Sequence, residues 1–163
     1  MPNYCDCYLR VGPTPEAARP FLEKLDKGGF GAFVPVPVGM EEDVRWLKDN
    51  WGDKYDVHDC AADFDYEHGK VHFVTAWGPP APWFEAAAKQ HPDLVLEMHY
   101  EESGCCLWGW LKSERGVLTV ATEKPIVDEE SYDEDGLMFW RASDWYRAED
   151  RHDSSYVGPE VAN

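Results

Sequence analysis

Alternation opens the chain. Over residues 4–11, Cys5, Cys7, Leu9 and Val11 fall on one side and Tyr4, Asp6, Tyr8 and Arg10 on the other, the period of two that predicts a half-buried strand. The period then changes. Thr14 precedes Pro15, a capping residue followed by proline at the first helical position, and Ala18, Phe21, Leu22 and Leu25 recur at helical spacing until Gly28-Gly29. Val34-Pro35-Val36-Pro37-Val38 reads as an extended connector or an edge, because its prolines have no N–H for a ladder. Residues 41–51 predict a second helix, with an acidic first turn and a stripe of Met40, Val44, Leu47 and Trp51, closed by Gly52. Residues 55–64 and 70–77 predict two strands joined by a hairpin loop over 65–69. A helix from Pro82 to about His91 stops before Pro92, and three further strands follow at 94–100, 105–112 and 116–123.

The element order is β, α, α, β, β, α, β, β, β, which is an α+β class. Without the second helix and the last two strands it becomes βαββαβ, the split βαβ arrangement of a ferredoxin-like sheet. The prediction is one such domain over residues 1–147, with an inserted helix and extra C-terminal strands. Within it an acidic linker after Pro125 leads to Leu137-Met138-Phe139-Trp140 and Trp145-Tyr146, read as a short element packed back on the body. Residues 148–163 read as a polar acidic tail.

Charge adds what periodicity does not. The 163 residues hold 32 acids and 15 bases, a formal net charge of −17. The excess is spread out: residues 1–122 carry 20 acids and 11 bases, and residues 123–163 carry 12 and 4. Such a field repels phosphate and anionic lipid and attracts basic protein surfaces, which argues against direct binding of nucleic acid or membrane. With no apolar leader read at Met1-Pro2-Asn3 and an odd count of five cysteines, the expectation is a cytoplasmic protein with reduced thiols.

Candidate chemistry is sparse. Cys5 and Cys7, with His58, Cys60, His99, Cys105 and Cys106, could supply metal ligands, but the first two lie on the apolar side of a strand, so packing is expected and no metal or other cofactor is assigned. Cys105 or Cys106 could be a nucleophile with His58, His72 or His99 as base, yet nothing in the sequence brings them together, so no catalytic residue is assigned. Gly28-Gly29-Phe30-Gly31 lacks the flanking strand and lysine of a phosphate loop.

Four short blocks carry a resemblance: Met1-Pro2-Asn3-Tyr4-Cys5, Trp51-Gly52-Asp53-Lys54-Tyr55-Asp56, Thr75-Ala76-Trp77-Gly78-Pro79-Pro80, and Tyr100 through Gly109. In this order they resemble the YubB-type, Api-type family of phage- and plasmid-borne proteins with a ferredoxin-like domain, across residues 1–112. The family pattern has tryptophan where this chain has Tyr4 and Tyr55, asparagine at Cys7 and serine at Gly78. The resemblance implies a fold and a mobile-element origin, and brings no established activity.

The functional expectation is an acidic accessory protein that binds a basic protein partner, such as a host DNA- or RNA-binding or defence enzyme, and inhibits it by imitating DNA. Glu41, Glu42, Asp43, Glu101 and Glu102 are its candidate acidic surface. Trp77, Pro79, Pro80 and Trp83 form a candidate aromatic turn. The alternative is a small enzyme or ligand-binding domain built on an aromatic, histidine and cysteine pocket.

Overall fold

The computed structural model describes residues 3–105 and 107–125. Its strands are β1 (Tyr4–Gly12), β2 (Ala62–Asp65), β3 (Lys70–Ala76), β4 (Val95–Glu102), β5 (Leu107–Glu114) and β6 (Val117–Pro125). Its helices are α1 (Pro15–Gly28), α2 (Val44–Asn50) and α3 (Ala81–Gln90), with one 3₁₀ turn at Phe30–Ala32. The sheet runs β2-β3-β1-β4-β5-β6, and every neighbouring pair is antiparallel. Its first four strands have the order and the two crossover helices of a ferredoxin-like sheet; α2 is the insertion, and β5 and β6 extend the sheet beyond β4.

The alternation of β1 decides which face is covered. Cys5, Cys7, Leu9 and Val11 join Val71, Phe73, Leu96 and Met98 beneath Phe21, Leu22 and Leu25 of α1 and Trp83, Phe84 and Ala87 of α3, in one buried cluster. Aromatic rings fill its centre: Phe30 and Trp83 lie 4.7 Å apart, and Phe21 and Phe33 lie 4.9 Å apart. Leu47 of α2 and Trp51 belong to the same cluster, so every described helix packs on this one side.

Two elements are shorter than the sequence predicts. The second helix starts at Val44, not at residue 41, because the Asp43 carboxylate accepts from the Arg45 and Trp46 N–H groups and caps the helix there. Met40 and Val44 are consequently exposed, and only Leu47 and Trp51 of the expected stripe are buried. The strand expected over 55–64 shrinks to Ala62–Asp65. Asp56 turns its carboxylate onto the Phe30 and Val57 N–H groups, at 2.6 and 2.7 Å, while its own N–H donates to Asp59, and this side-chain bonding replaces a ladder. The element expected at residues 137–146, the domain end at 147, the tail at 148–163 and Cys106 lie outside the described residues.

Candidate functional site

The four blocks singled out in the sequence meet at one end of the sheet. Strand β3 stops at Ala76 because Trp77 takes φ of 71°, a left-handed conformation that is a true outlier for a bulky side chain. Three bonds hold it there. The Ala76 N–H donates to Asp53 Oδ2 at 2.9 Å, the Trp77 N–H donates to the Asn3 carbonyl at 2.8 Å, and the Thr75 hydroxyl donates to the Gly78 carbonyl at 2.7 Å.

Asp53 is buried, and burial pushes its carboxyl above the usual value while backbone N–H bonds from Ala76 and Lys54 pull the other way. Gly52, at φ of 86°, lets the chain pass against Pro80 and Pro82; a Cβ there would come within 3 Å of the Pro82 ring. On the far side, Glu102 accepts from the Gly104 and Cys105 N–H groups at 3.0 and 2.9 Å, and the Asn3 amide reaches Cys105 Sγ at 3.5 Å. Each block therefore positions another.

What this scaffold presents is Trp77, 53% exposed, next to Tyr4, 51% exposed, which is in register with Ala76. Pro79 is half-buried and Pro80 buried. Two expected site residues move inward. The sequence pattern puts Trp83 in the aromatic turn, but as the third residue of α3 it lies fully in the core among Phe21, Phe30 and Phe33. Glu102 was read as a surface acid; it lies on the inner side of β4, buried and occupied by the two N–H groups.

The remaining acids do not form one patch. Glu41, Glu42 and Asp43 are exposed in the turn that opens α2, within the helical layer, and hydrogen bonds from its own N–H and that of Gly39 hold the Glu41 carboxyl below its ordinary value. Glu101 stands on the opposite face of the sheet, in register with Asp6 and Trp108.

That opposite face carries the pair Trp108 and Trp110, whose i, i+2 spacing already puts them on one side of a strand, and strand pairing adds partners from three further strands. Along it, Tyr8 stacks on His72 at 4.6 Å, His99 on Trp110 at 5.8 Å, and Trp108 on Trp110 at 5.3 Å. A neighbouring row carries Lys70, Arg10, Glu97 and Lys112. The available signal was the polar side of the alternation in β1 together with the i, i+2 pair Trp108 and Trp110.

The histidines proposed as bases are engaged by oxygens: His72 by Asp6 at 2.8 Å, His99 by Glu97 at 3.0 Å and His58 by the Asp26 carbonyl at 2.6 Å. Burial lowers the His99 pKa against the opposing pull of Glu97. Among the described residues no group of three or more His, Cys, Asp or Glu side chains is arranged to hold a metal ion, and no helix is long and apolar enough to cross a membrane. Cys5 and Cys7 are fully buried with their sulfurs 4.0 Å apart, and burial raises the Cys7 thiol pKa.

No protein of curated function matches the chain. Among solved structures, the crystal structure of protein Api92 from Yersinia pseudotuberculosis is similar, at 13% identity and a TM-score of 0.46, over 61% of this chain and 40% of that one. The chain thus spans well under half of that protein's length. Residues 54–149 match the family described as the ferredoxin-like domain in Api92-like protein, which is more than half of the sequence. The chain belongs to this family of Api92-like proteins with a ferredoxin-like domain.

Proposed function

We propose that this protein binds a basic protein surface, with Trp77 as the anchor and the surrounding negative field as the guide. The observation that carries the reading is the exposed Trp77 at positive φ. Strain of this kind costs on the order of 1 to 3 kcal/mol and persists only where neighbouring bonds impose it. Here Asn3, Asp53 and Thr75 impose it, and the ring they display contributes little to the core. Exposed tryptophans on rigid supports are frequent interface hot spots, while a net charge of −17 accelerates encounter with a cationic partner. The finer reading is that the partner is a nucleic-acid-binding or defence enzyme whose DNA groove this chain occupies, with Glu41, Glu42 and Asp43, which share the one turn that opens α2, standing in for phosphates.

The test pairs two variants on a purified partner. Trp77→Gly relieves the strained backbone and removes the ring, so the fold should stay intact while affinity drops by about 30-fold or more, the range of a hot spot. Lysine at Glu41, Glu42 and Asp43 should mainly slow association. If Trp77→Gly binds as tightly as the parent, the anchor reading is wrong. If the complex forms alongside bound DNA without competition, mimicry is wrong.

A further inference from the structure

The loop between Ala32 and α2 shows apolar side chains to water. Among the described residues six large apolar side chains are exposed: Tyr4, Trp77 and Val117, and then Val38 at 99%, Met40 at 36% and Val44 at 48%, which share this one loop and the start of α2. Single exposed apolar residues are ordinary, but a group of them on fixed backbone marks a contact surface. The backbone here is fixed. Trp51 Nε1 donates to the Val34 carbonyl at 2.9 Å and Gln90 Nε2 to the Phe33 carbonyl at 2.8 Å, while Val34 and Val36 lean on the core cluster. Pro35 and Pro37, both exposed, restrict φ between them. Two turns then follow, closed by the Met40 N–H on the Pro37 carbonyl and the Asp43 N–H on the Met40 carbonyl, both at 3.0 Å. Gly39 takes φ of 87° at the third position of the first turn, where glycine bears it without steric cost. A Cβ there would meet no atom of the described residues within 4 Å, so the turn stands clear of the body.

We propose that this double turn, residues 35–44, docks against a basic amphipathic helix of a protein partner, with Val38 and Met40 on the apolar stripe of that helix and Glu41 and Glu42 on its flanking lysines or arginines. This contact rests on the reading of a cationic protein partner and stands apart from Trp77. Charge complementarity names the occupant. Residues 35–44 hold Glu41, Glu42 and Asp43 and no lysine, arginine or histidine, and Arg45, next along the chain, lies 3.9 Å from Asp49. Both glutamates are exposed, whereas the Asp43 carboxylate is occupied in capping α2. These acids repel nucleic acid and anionic lipid, and helices that lie in a membrane surface bring cations to it, not anions. Acids alone would suit a phosphate-binding groove; Val38 and Met40 require in addition an apolar surface between the cations. An apolar stripe flanked by lysine or arginine meets both requirements. Because the turn is already ordered, little conformational freedom is lost when it docks.

Calorimetric titration of the full chain tests this with a synthetic amphipathic helical peptide of leucine and lysine, against a control peptide of the same composition whose order destroys the apolar stripe. The striped peptide should bind at least about tenfold more tightly than the control, because only it offers apolar surface to Val38 and Met40. Val38→Ser with Met40→Gln, both on the surface, should keep the far-ultraviolet circular dichroism and weaken the striped peptide by about tenfold or more, while leaving the control peptide unchanged. In the ¹⁵N-labelled parent, amide shifts caused by the striped peptide should fall on residues 35–44. Equal affinity for the two peptides, or a folded double variant that binds the striped peptide as tightly as the parent, would overturn the inference. So would binding to neutral phosphatidylcholine vesicles that disappears in the double variant, which would give the turn to a lipid surface. Loss of the striped peptide with Trp77→Gly and not with the double variant would overturn this contact and leave Trp77 as the anchor; a parent chain that binds neither peptide would overturn the cationic-partner reading as well.

Discussion

Trp77 and Asp53 are coupled at the scale of single residues. A bulky residue at positive φ loses about 1 to 2 kcal/mol to the clash of its Cβ with the backbone, whereas glycine pays no such penalty but carries about 0.5 to 1 kcal/mol of extra chain entropy. The two nearly cancel, so Trp77→Gly should leave denaturant stability within about 1 kcal/mol of the parent, a result that keeps its binding test interpretable. Gly109 is the opposite case. Its missing side chain lets Tyr100 cross β5 to donate to Glu123 at 2.9 Å, and a Cβ would collide with the Tyr100 hydroxyl and the Thr122 carbonyl. Gly109→Ala should therefore cost about 1 to 3 kcal/mol in a denaturant titration. His99 gives the molecule a pH response. Burial lowers its folded pKa below 6.5, and burial does the same to His91, so below about pH 6.5 the unfolded chain takes up protons that the folded chain refuses. Stability should fall as pH drops from 7 through 6 and level off below the folded values; His99→Gln should flatten that slope when unfolding midpoints are compared across the range.

Elements with a strong period were legible, and those fixed by side-chain bonding to the backbone were not. The apolar positions of β1 and α1 specify both their type and their buried side, and the structure buries Cys5, Cys7, Leu9, Phe21, Leu22 and Leu25 as that pattern requires. Phe21→Ala should accordingly cost about 3 to 5 kcal/mol, since Phe21 is enclosed by Phe33, Trp83 and His91. A loss below about 1 kcal/mol by chemical denaturation would contradict that enclosure. By contrast, residues 41–43 and 55–61 have compositions compatible with helix or strand, and what decides them is the carboxylates of Asp43 and Asp56 reaching backbone N–H groups. Nothing in a hydropathy pattern distinguishes such an aspartate from a solvated one. The site followed the same division. The turn at Trp77 was visible as two tryptophans around prolines, but the Gly78-Pro79-Pro80 turn separates exposed Trp77 from Trp83 inside α3, and only the packing of α3 shows which is buried. On the stacked face only the Trp108 and Trp110 pair is legible from spacing, because Tyr8, His72 and His99 join it from three other strands whose register is set by tertiary pairing.

Across the whole molecule, charge and shape have separable roles in binding. A partner drawn by the field of −17 should associate faster at low salt, because screening contracts from about 30 Å at 0.01 M to about 8 Å at 0.15 M. The anchored contact at Trp77 is short-ranged and should survive that contraction, so it governs dissociation. Salt and Trp77 substitution should thus act on different rate constants. Raising salt, or placing lysine at Glu41, Glu42 and Asp43, should lower the association rate constant with little change in dissociation; Trp77→Gly should raise dissociation with little change in association. Removing residues 148–163, which carry Glu149, Asp150, Asp153 and Glu160 against Arg151, should alter association less per charge than reversal at the start of α2. Surface plasmon resonance against one purified partner reads both constants in a single titration. Association that ignores salt would remove the electrostatic half of the proposal and leave Trp77 to stand alone, while a Trp77→Gly variant with unchanged dissociation would remove the anchor and leave only a charged surface.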